Sequence, residues 1–271
     1  MRKTVPRPRI AASSYLNTAP LIWSFTNGPK QEAVELLTDK APARCARMLA
    51  DGEVDAALVP VVEYQRIDDV LLVPRVCVGS HSAVRSVVLA SKYDDLKRLR
   101  RVALDDSSRT SVALVMIIFR EFLGFEPEWR VAPPNLDAML EENDAALIIG
   151  DPAMKIQRTE LHVFDLATLW HKHTSLGFVF AMWMTLEDKA EKVRPIDFAG
   201  ARDEGLAHLN EIVSMYEGRL DVPRIDLEFY LTRNISFSLD DELIAGLELF
   251  FNLAQKQGLI VQRRDLKMLC S

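Results

Sequence analysis

No stretch of this 271-residue chain approaches the roughly 20 apolar residues that a membrane-spanning helix needs; the longest runs, such as Val112–Phe119 and Gly177–Met184, are far shorter. The N-terminal segment carries Arg2, Lys3, Arg7 and Arg9, but Pro6 and Pro8 fall where a secretory signal needs an apolar run, which predicts a cytoplasmic protein away from membranes. Basic residues are in the minority. The 33 Lys and Arg against 39 Asp and Glu leave a formal charge of −6, the wrong sign for a polyphosphate backbone, so no nucleic-acid partner is expected. Cysteine is scarce: Cys45, Cys77 and Cys270 are odd in number, widely spaced and free of any CxxC. That excludes a disulfide framework and a structural zinc site, and predicts three small buried side chains in a reducing compartment. GxSxG, GxGxxG after a strand and GxxxxGK[ST] are all missing, which removes the common serine-hydrolase, dinucleotide and P-loop readings; no organic cofactor is expected.

What remains is a chain with 49% hydrophobic residues, able to bury roughly three quarters of its unfolded surface in one large α/β unit or two lobes. Short apolar runs at Arg9–Ala12, Val54–Val59, Val70–Val78, Ala83–Ser91, Arg101–Leu104, Ala145–Gly150 and Phe178–Thr185 read as strands. Between them, Ala41–Asp51, Thr110–Leu123 and Asn135–Asn143 read as helices, and the last third is helical, with amphipathic spacing over Asp203–Tyr216 and Asp240–Gly258. Strands alternating with helices predict parallel sheets covered on both faces.

Three strand-to-helix turns, Ser13–Pro20, Asp105–Ser111 and Gly150–Ala153, place small polar residues before a helix N-terminus, where free N–H groups favour a carboxylate or phosphate. Thr18, Ser107, Ser108 and Asp151 serve equally well as plain helix caps. Arg109 adds a planar cation able to grip a carboxylate in two places, or a solvated surface charge. Ligands of open α/β sheets bind beyond the carboxyl ends of the strands, which predicts a cleft for a small organic anion where these turns meet. His171 and His173 lack companion ligands at a metal-binding spacing, so no metal is expected. Glu63 is a candidate general base or a helix-start glutamate.

Ser13-Ser14-Tyr15-Leu16-Asn17-Thr18, Leu58-Val59-Pro60 with Glu63-Tyr64, Val84–Leu89, Ser108-Arg109-Thr110-Ser111, Leu147–Ala153 and Phe178-Val179-Phe180-Ala181 occur in an order and spacing that resembles the chorismate dehydratases of the futalosine route to menaquinone. Tyr230-Leu231-Thr232 and the segment Gly246–Phe251 continue the likeness to about Gln262. The resemblance implies a two-lobed type II periplasmic-binding-protein-like α/β fold with two crossover strands near Arg85–Ala90 and Phe180–Thr185. Residues 1–87 with 186–271 would form one lobe, and 88–185 the other. It further implies a carbon–oxygen lyase that removes water from the dianion chorismate to give 3-[(1-carboxyvinyl)oxy]benzoate. Asn17 and Ser86 match the family's polar catalytic residues, with Ser14, Tyr15, Ser108, Arg109, Thr110, Ser111, Gly150 and Asp151 placed to bind substrate. No His, Lys or Cys occurs in the matching motifs, so the substrate's own enolpyruvyl carboxylate is the expected proton acceptor, with Glu63 second. Ser175 and Gly177 stand where the family commonly has glycine and proline. The rival readings are a non-catalytic anion-binding protein and the sister cyclase of the same pathway, and the oligomeric state is left open.

Overall fold

The computed structural model describes residues 6–156 and 159–270, so Arg2 and Lys3 of the basic N-terminal segment lie outside it. Among the described residues, ten strands divide into two five-stranded sheets of the same spatial plan, with the strand that enters from the other sheet in fourth place. The first contains β1 (Arg9–Ser13), β2 (Glu35–Asp39), β3 (Ala56–Pro60), β4 (Val70–Ser80) and β10 (Phe178–Leu186), in the order β2-β1-β3-β10-β4. The second contains β5 (Val87–Ser91), β6 (Arg101–Asp105), β7 (Glu128–Ala132), β8 (Ala145–Ile149) and β9 (His162–Asp165), in the order β7-β6-β8-β5-β9. In both sheets the central strands are buried along their length, as the unbroken apolar runs require.

Neither sheet is purely parallel, contrary to the expectation from strand-helix alternation. β10 runs antiparallel to β3 and β4, and β5 antiparallel to β8 and β9. Parallel neighbours need a crossover over the sheet face. β5 and β10 instead enter directly from the other sheet, so each meets its neighbours head to tail. The chain leaves the first sheet through residues 81–86 and returns through 175–177. The two strands that enter from the other sheet, β5 and β10, lie where crossovers near Arg85–Ala90 and Phe180–Thr185 were expected, and β10 pairs with β3 and β4. We propose lobe limits that follow this pairing, with 87–174 as the second lobe.

Helices α1 (Ala19–Thr26) and α2 (Pro42–Ala50) cover the first sheet; α3 (Thr110–Ile117), α4 (Leu136–Glu142), α5 (Asp151–Met154) and α6 (Leu166–Thr174) belong to the second. The core is continuous from one lobe to the other. Where the chain returns, Trp170 packs edge-on to Phe178, and Phe178 to Phe250 of the helix Asp241–Lys256. Gly177 belongs to this junction: a Cβ there would meet Leu243 at 2.8 Å and the Ser80 carbonyl at 3.0 Å. Ser175 closes α6 in a left-handed conformation, φ 57°, a position that glycine fills without steric cost. The predicted helix Asp203–Tyr216 is two helices, Phe198–Ala207 and Leu209–Leu220, meeting at His208. Cys45 and Cys77 are buried as expected, whereas Cys270 is exposed near the C-terminus.

Candidate active site

The carboxyl ends of β1, β3, β6 and β8 face one another across the junction and enclose a cavity of about 60 Å³. From the first sheet come Ser13, Tyr15, Asn17, Thr18, Pro42 and Pro60, and from the second Ser108, Thr110, Ser111 and Gly150, over an apolar floor that includes Val78 and Phe180. Among the described residues lining it, none carries a charge at neutral pH: the polar groups are hydroxyls, one amide and backbone. Tyr15 is the sole titratable side chain of the lining, and burial, aided by the nearby Asp105 carboxylate, pushes its pKa up to about 12.

The hydroxyls are not used as helix caps. Neither the N-terminus of α2 nor that of α3 receives a side-chain cap, and both start at the cavity, at Pro42 and Thr110. Their first-turn amides retain the anion-binding character of an open helix end, one from each lobe. Thr110 Oγ1 accepts a hydrogen bond from the Val62 N–H at 3.2 Å, which leaves its own proton to donate. Ser13 and Thr18 share a hydroxyl-to-hydroxyl bond of 2.7 Å. α2 was not anticipated as a contributor; Pro42 directly after the Asp39-Lys40-Ala41 turn was the available signal.

The third anticipated turn works differently. Gly150 lines the cavity at φ 65° and ψ −148°, a backbone region essentially restricted to glycine, and a Cβ there would lie 2.7 Å from the Tyr15 ring. α5 is a single turn, and its Asp151 carboxylate accepts the Leu16 N–H across the cleft at 2.9 Å, joining the two lobes. Burial raises the Asp151 pKa to about 6, and its charge in turn raises the phenols of Tyr15, Tyr216 and Tyr230 around it.

Several anticipated residues fall elsewhere. Ser14 is turned away from the lining: its N–H donates to the Asp39 carbonyl, and its own carbonyl accepts from Tyr216 Oη. Arg109 and Glu63 do not reach the cavity. Arg109 donates to Glu63 at 2.7 Å, Arg66 donates to the other Glu63 oxygen at 3.1 Å, and the buried carboxylate is held between two guanidiniums outside the cavity lining. Ser86 is fully buried and outside the cavity lining, its carbonyl accepting the Gly150 N–H at 2.7 Å. His173 stacks on Phe122, and His171 Nδ1 faces the Leu176 carbonyl.

Asp105 and Tyr230, named in the sequence only as parts of the Asp105–Ser111 turn and the Tyr230-Leu231-Thr232 segment, were given no role of their own. Asp105, 1% exposed at the end of β6, has one oxygen held by the Ser107 N–H and Oγ, while the other has no partner; burial raises its pKa. Tyr230, equally buried, donates to Ser86 Oγ at 2.7 Å. Nothing in the local pattern separated either from an ordinary strand end or core aromatic.

The profile of a family described as menaquinone biosynthesis matches residues 8–256. Chorismate dehydratase of Thermus thermophilus is 34% identical over 255 residues, covering 87% of this chain and 91% of that protein. Among solved structures, a protein of Archaeoglobus fulgidus superposes with a TM-score of 0.76 at 17% identity, covering 94% of this chain and 98% of its own. The periplasmic aliphatic sulphonate binding protein of Escherichia coli gives a TM-score of 0.67 at 15% identity over 97% and 91%. The two-lobed topology is thus that of the periplasmic-binding-protein-like α/β fold, and the chain belongs to the menaquinone biosynthesis family.

Proposed function

We propose that the protein is a chorismate dehydratase, a cytoplasmic carbon–oxygen lyase that converts chorismate to 3-[(1-carboxyvinyl)oxy]benzoate and water. The observation that carries this reading is the pair of uncapped helix N-termini, α2 and α3, meeting a ring of neutral donors across one cavity. Chorismate bears two carboxylates, and helix ends stabilise them as anions without tying either to a side-chain cation.

In the elimination a ring C–H bond and the neighbouring C–O bond break, and the freed electron pair completes the aromatic ring. The cavity lining offers no base: Tyr15, with its raised pKa, stays protonated at neutral pH, and Glu63 is committed to Arg66 and Arg109. The substrate's enolpyruvyl carboxylate takes the ring proton and passes it to the departing hydroxide, so water leaves and no proton is gained or lost. Asn17 is the donor in the lining placed to stabilise the hydroxide as its charge develops, with the Ser108, Thr110 and Ser111 hydroxyls and the α3 amides holding a carboxylate. A cavity of about 60 Å³ is small beside the roughly 300 Å³ at the lower end of small-molecule sites. Substrate enters with the lobes parted, and closure excludes water from the elimination.

The test is to mix purified protein with chorismate and follow the diene absorbance together with product mass. Loss of one water supports the dehydratase; binding without turnover points to an anion carrier, and turnover of a nucleoside instead points to the sister cyclase.

A further inference from the structure

We propose that Tyr230 is a positioning residue that fixes the Ser86 hydroxyl and the Asn17 amide in register for the elimination. This deepens the dehydratase reading and rests on it.

Tyr230 opens a single wide turn, Tyr230–Asn234, directly after the helix Arg224–Phe229. From there the chain runs alongside the crossing that carries Ser86. Ser236 and Gly79 exchange both backbone hydrogen bonds, at 2.8 and 2.9 Å, and Asn234 Nδ2 donates to the Ala83 carbonyl at 2.9 Å. Tyr230 makes the last of these anchors, its O–H donating to Ser86 Oγ at 2.7 Å. Three attachments in sequence set the crossing segment in one register, and the side-chain bond is the one at its catalytic end.

The donor order has a chemical consequence. With Oγ already accepting from the phenol, the Ser86 hydroxyl proton is turned away from Tyr230, while the Ser86 main chain is held by the Val84 carbonyl and the Gly150 N–H, both at 2.7 Å. On the other side the Asn17 side chain lies beside the same phenol, with its Oδ1 accepting from Thr18 Oγ1 at 3.4 Å. An amide N–H given to Tyr230 Oη would leave the second for the cavity that Asn17 lines. Burial holds the Tyr230 pKa well above its ordinary value, so the phenol is protonated at neutral pH. A residue needed only for packing would have no use for this oxygen, because a buried hydroxyl without partners costs stability.

The experiment compares Tyr230→Phe, Ser86→Ala and the double variant in chorismate turnover, in the full-length chain. Tyr230→Phe keeps the ring and is expected to lower kcat roughly tenfold to a hundredfold with KM little changed, less than the 10²–10³ that loss of a direct donor costs. Because the phenol acts in part through Ser86, the double variant falls by less than the product of the two single losses. Wild-type kcat in Tyr230→Phe, or losses that multiply in the double variant, would overturn the proposal. A crystal structure of Tyr230→Phe is the readout independent of turnover: Ser86 Oγ and the Asn17 amide are expected to spread over more than one rotamer, and retention of a single orientation for both would likewise overturn it. Should the wild-type protein leave chorismate unchanged, the dehydratase reading falls, and the rotamers still decide the positioning role.

Discussion

Replacing Asp151 by asparagine is expected to erase a specific pH dependence of stability. Burial raises the Asp151 pKa from its ordinary 3.8 to about 6, so the folded protein holds a proton there that the unfolded chain has lost. A raised carboxylate pKa stabilises the fold fully below pH 3.8 and loses that contribution as pH rises through 6. The loss is the shift, about two units, at 1.36 kcal/mol each, or about 3 kcal/mol between pH 4 and 6.5. Asp105 and Asp165, whose pKa values burial also raises, tilt the curve the same way, so wild type alone cannot isolate Asp151. The difference between wild type and Asp151→Asn can, because the other groups cancel. Urea unfolding of both proteins at half-unit steps from pH 4 to 7 is the assay. Asparagine still presents an oxygen to the Leu16 N–H, so the two should be close in stability at pH 4, with the variant ahead by about 3 kcal/mol at pH 7. A difference that stays constant across the window would refute the buried, charge-averse setting assigned to Asp151.

Gly150→Ala forces a Cβ onto Tyr15 and a backbone conformation that costs roughly 1–3 kcal/mol, so the melting temperature should fall by about 2–5 °C and kcat/KM should drop; an unchanged enzyme would mean that Gly150 and Tyr15 are not packed as described. Glu63→Gln should cost roughly 2 kcal/mol of stability by leaving Arg66 and Arg109 half-satisfied, with kcat within about threefold of wild type, whereas a loss near 10²-fold would restore Glu63 as a base. A thiol reagent should modify Cys270 alone in the native protein, with Cys45 and Cys77 reacting only after unfolding, because both are buried and burial raises both thiol pKa values; prompt modification of more than one thiol would contradict this.

The strands that the sequence announces are the buried ones, the outer β4 included. β3, β5 and β8 are buried at every residue, and their runs of Val, Leu, Ile and Ala stand out from the flanking turns. β2, β7 and β9 occupy outer positions, have no fully buried residue and therefore leave no apolar run to read. Local pattern also located the turns that build the site, since Ser, Thr and Asn before a helix mark a strand-to-helix junction whatever lies opposite. It could not say which groups are already taken. Arg109 looks free until Glu63, 46 positions earlier, is found against it, and Ser86 looks available until Tyr230, 144 positions later, is found on its oxygen. Partners at such separations are a property of how the lobes stack.

The placement of β10 bears on how the molecule comes into being at the ribosome. β4 touches its own sheet through β10, which lies between β3 and β4, so the first sheet stays split until residue 186 has been made. The second sheet is contiguous, with all five strands between residues 87 and 165, and its parts are available while the first still waits. The later-made half is thus complete before the earlier one, and the N-terminal 80 residues spend synthesis as two loose pieces with unpaired edges. Long separation between partners slows folding, so this interval, rather than any weakness of the finished core, is where aggregation would claim the protein.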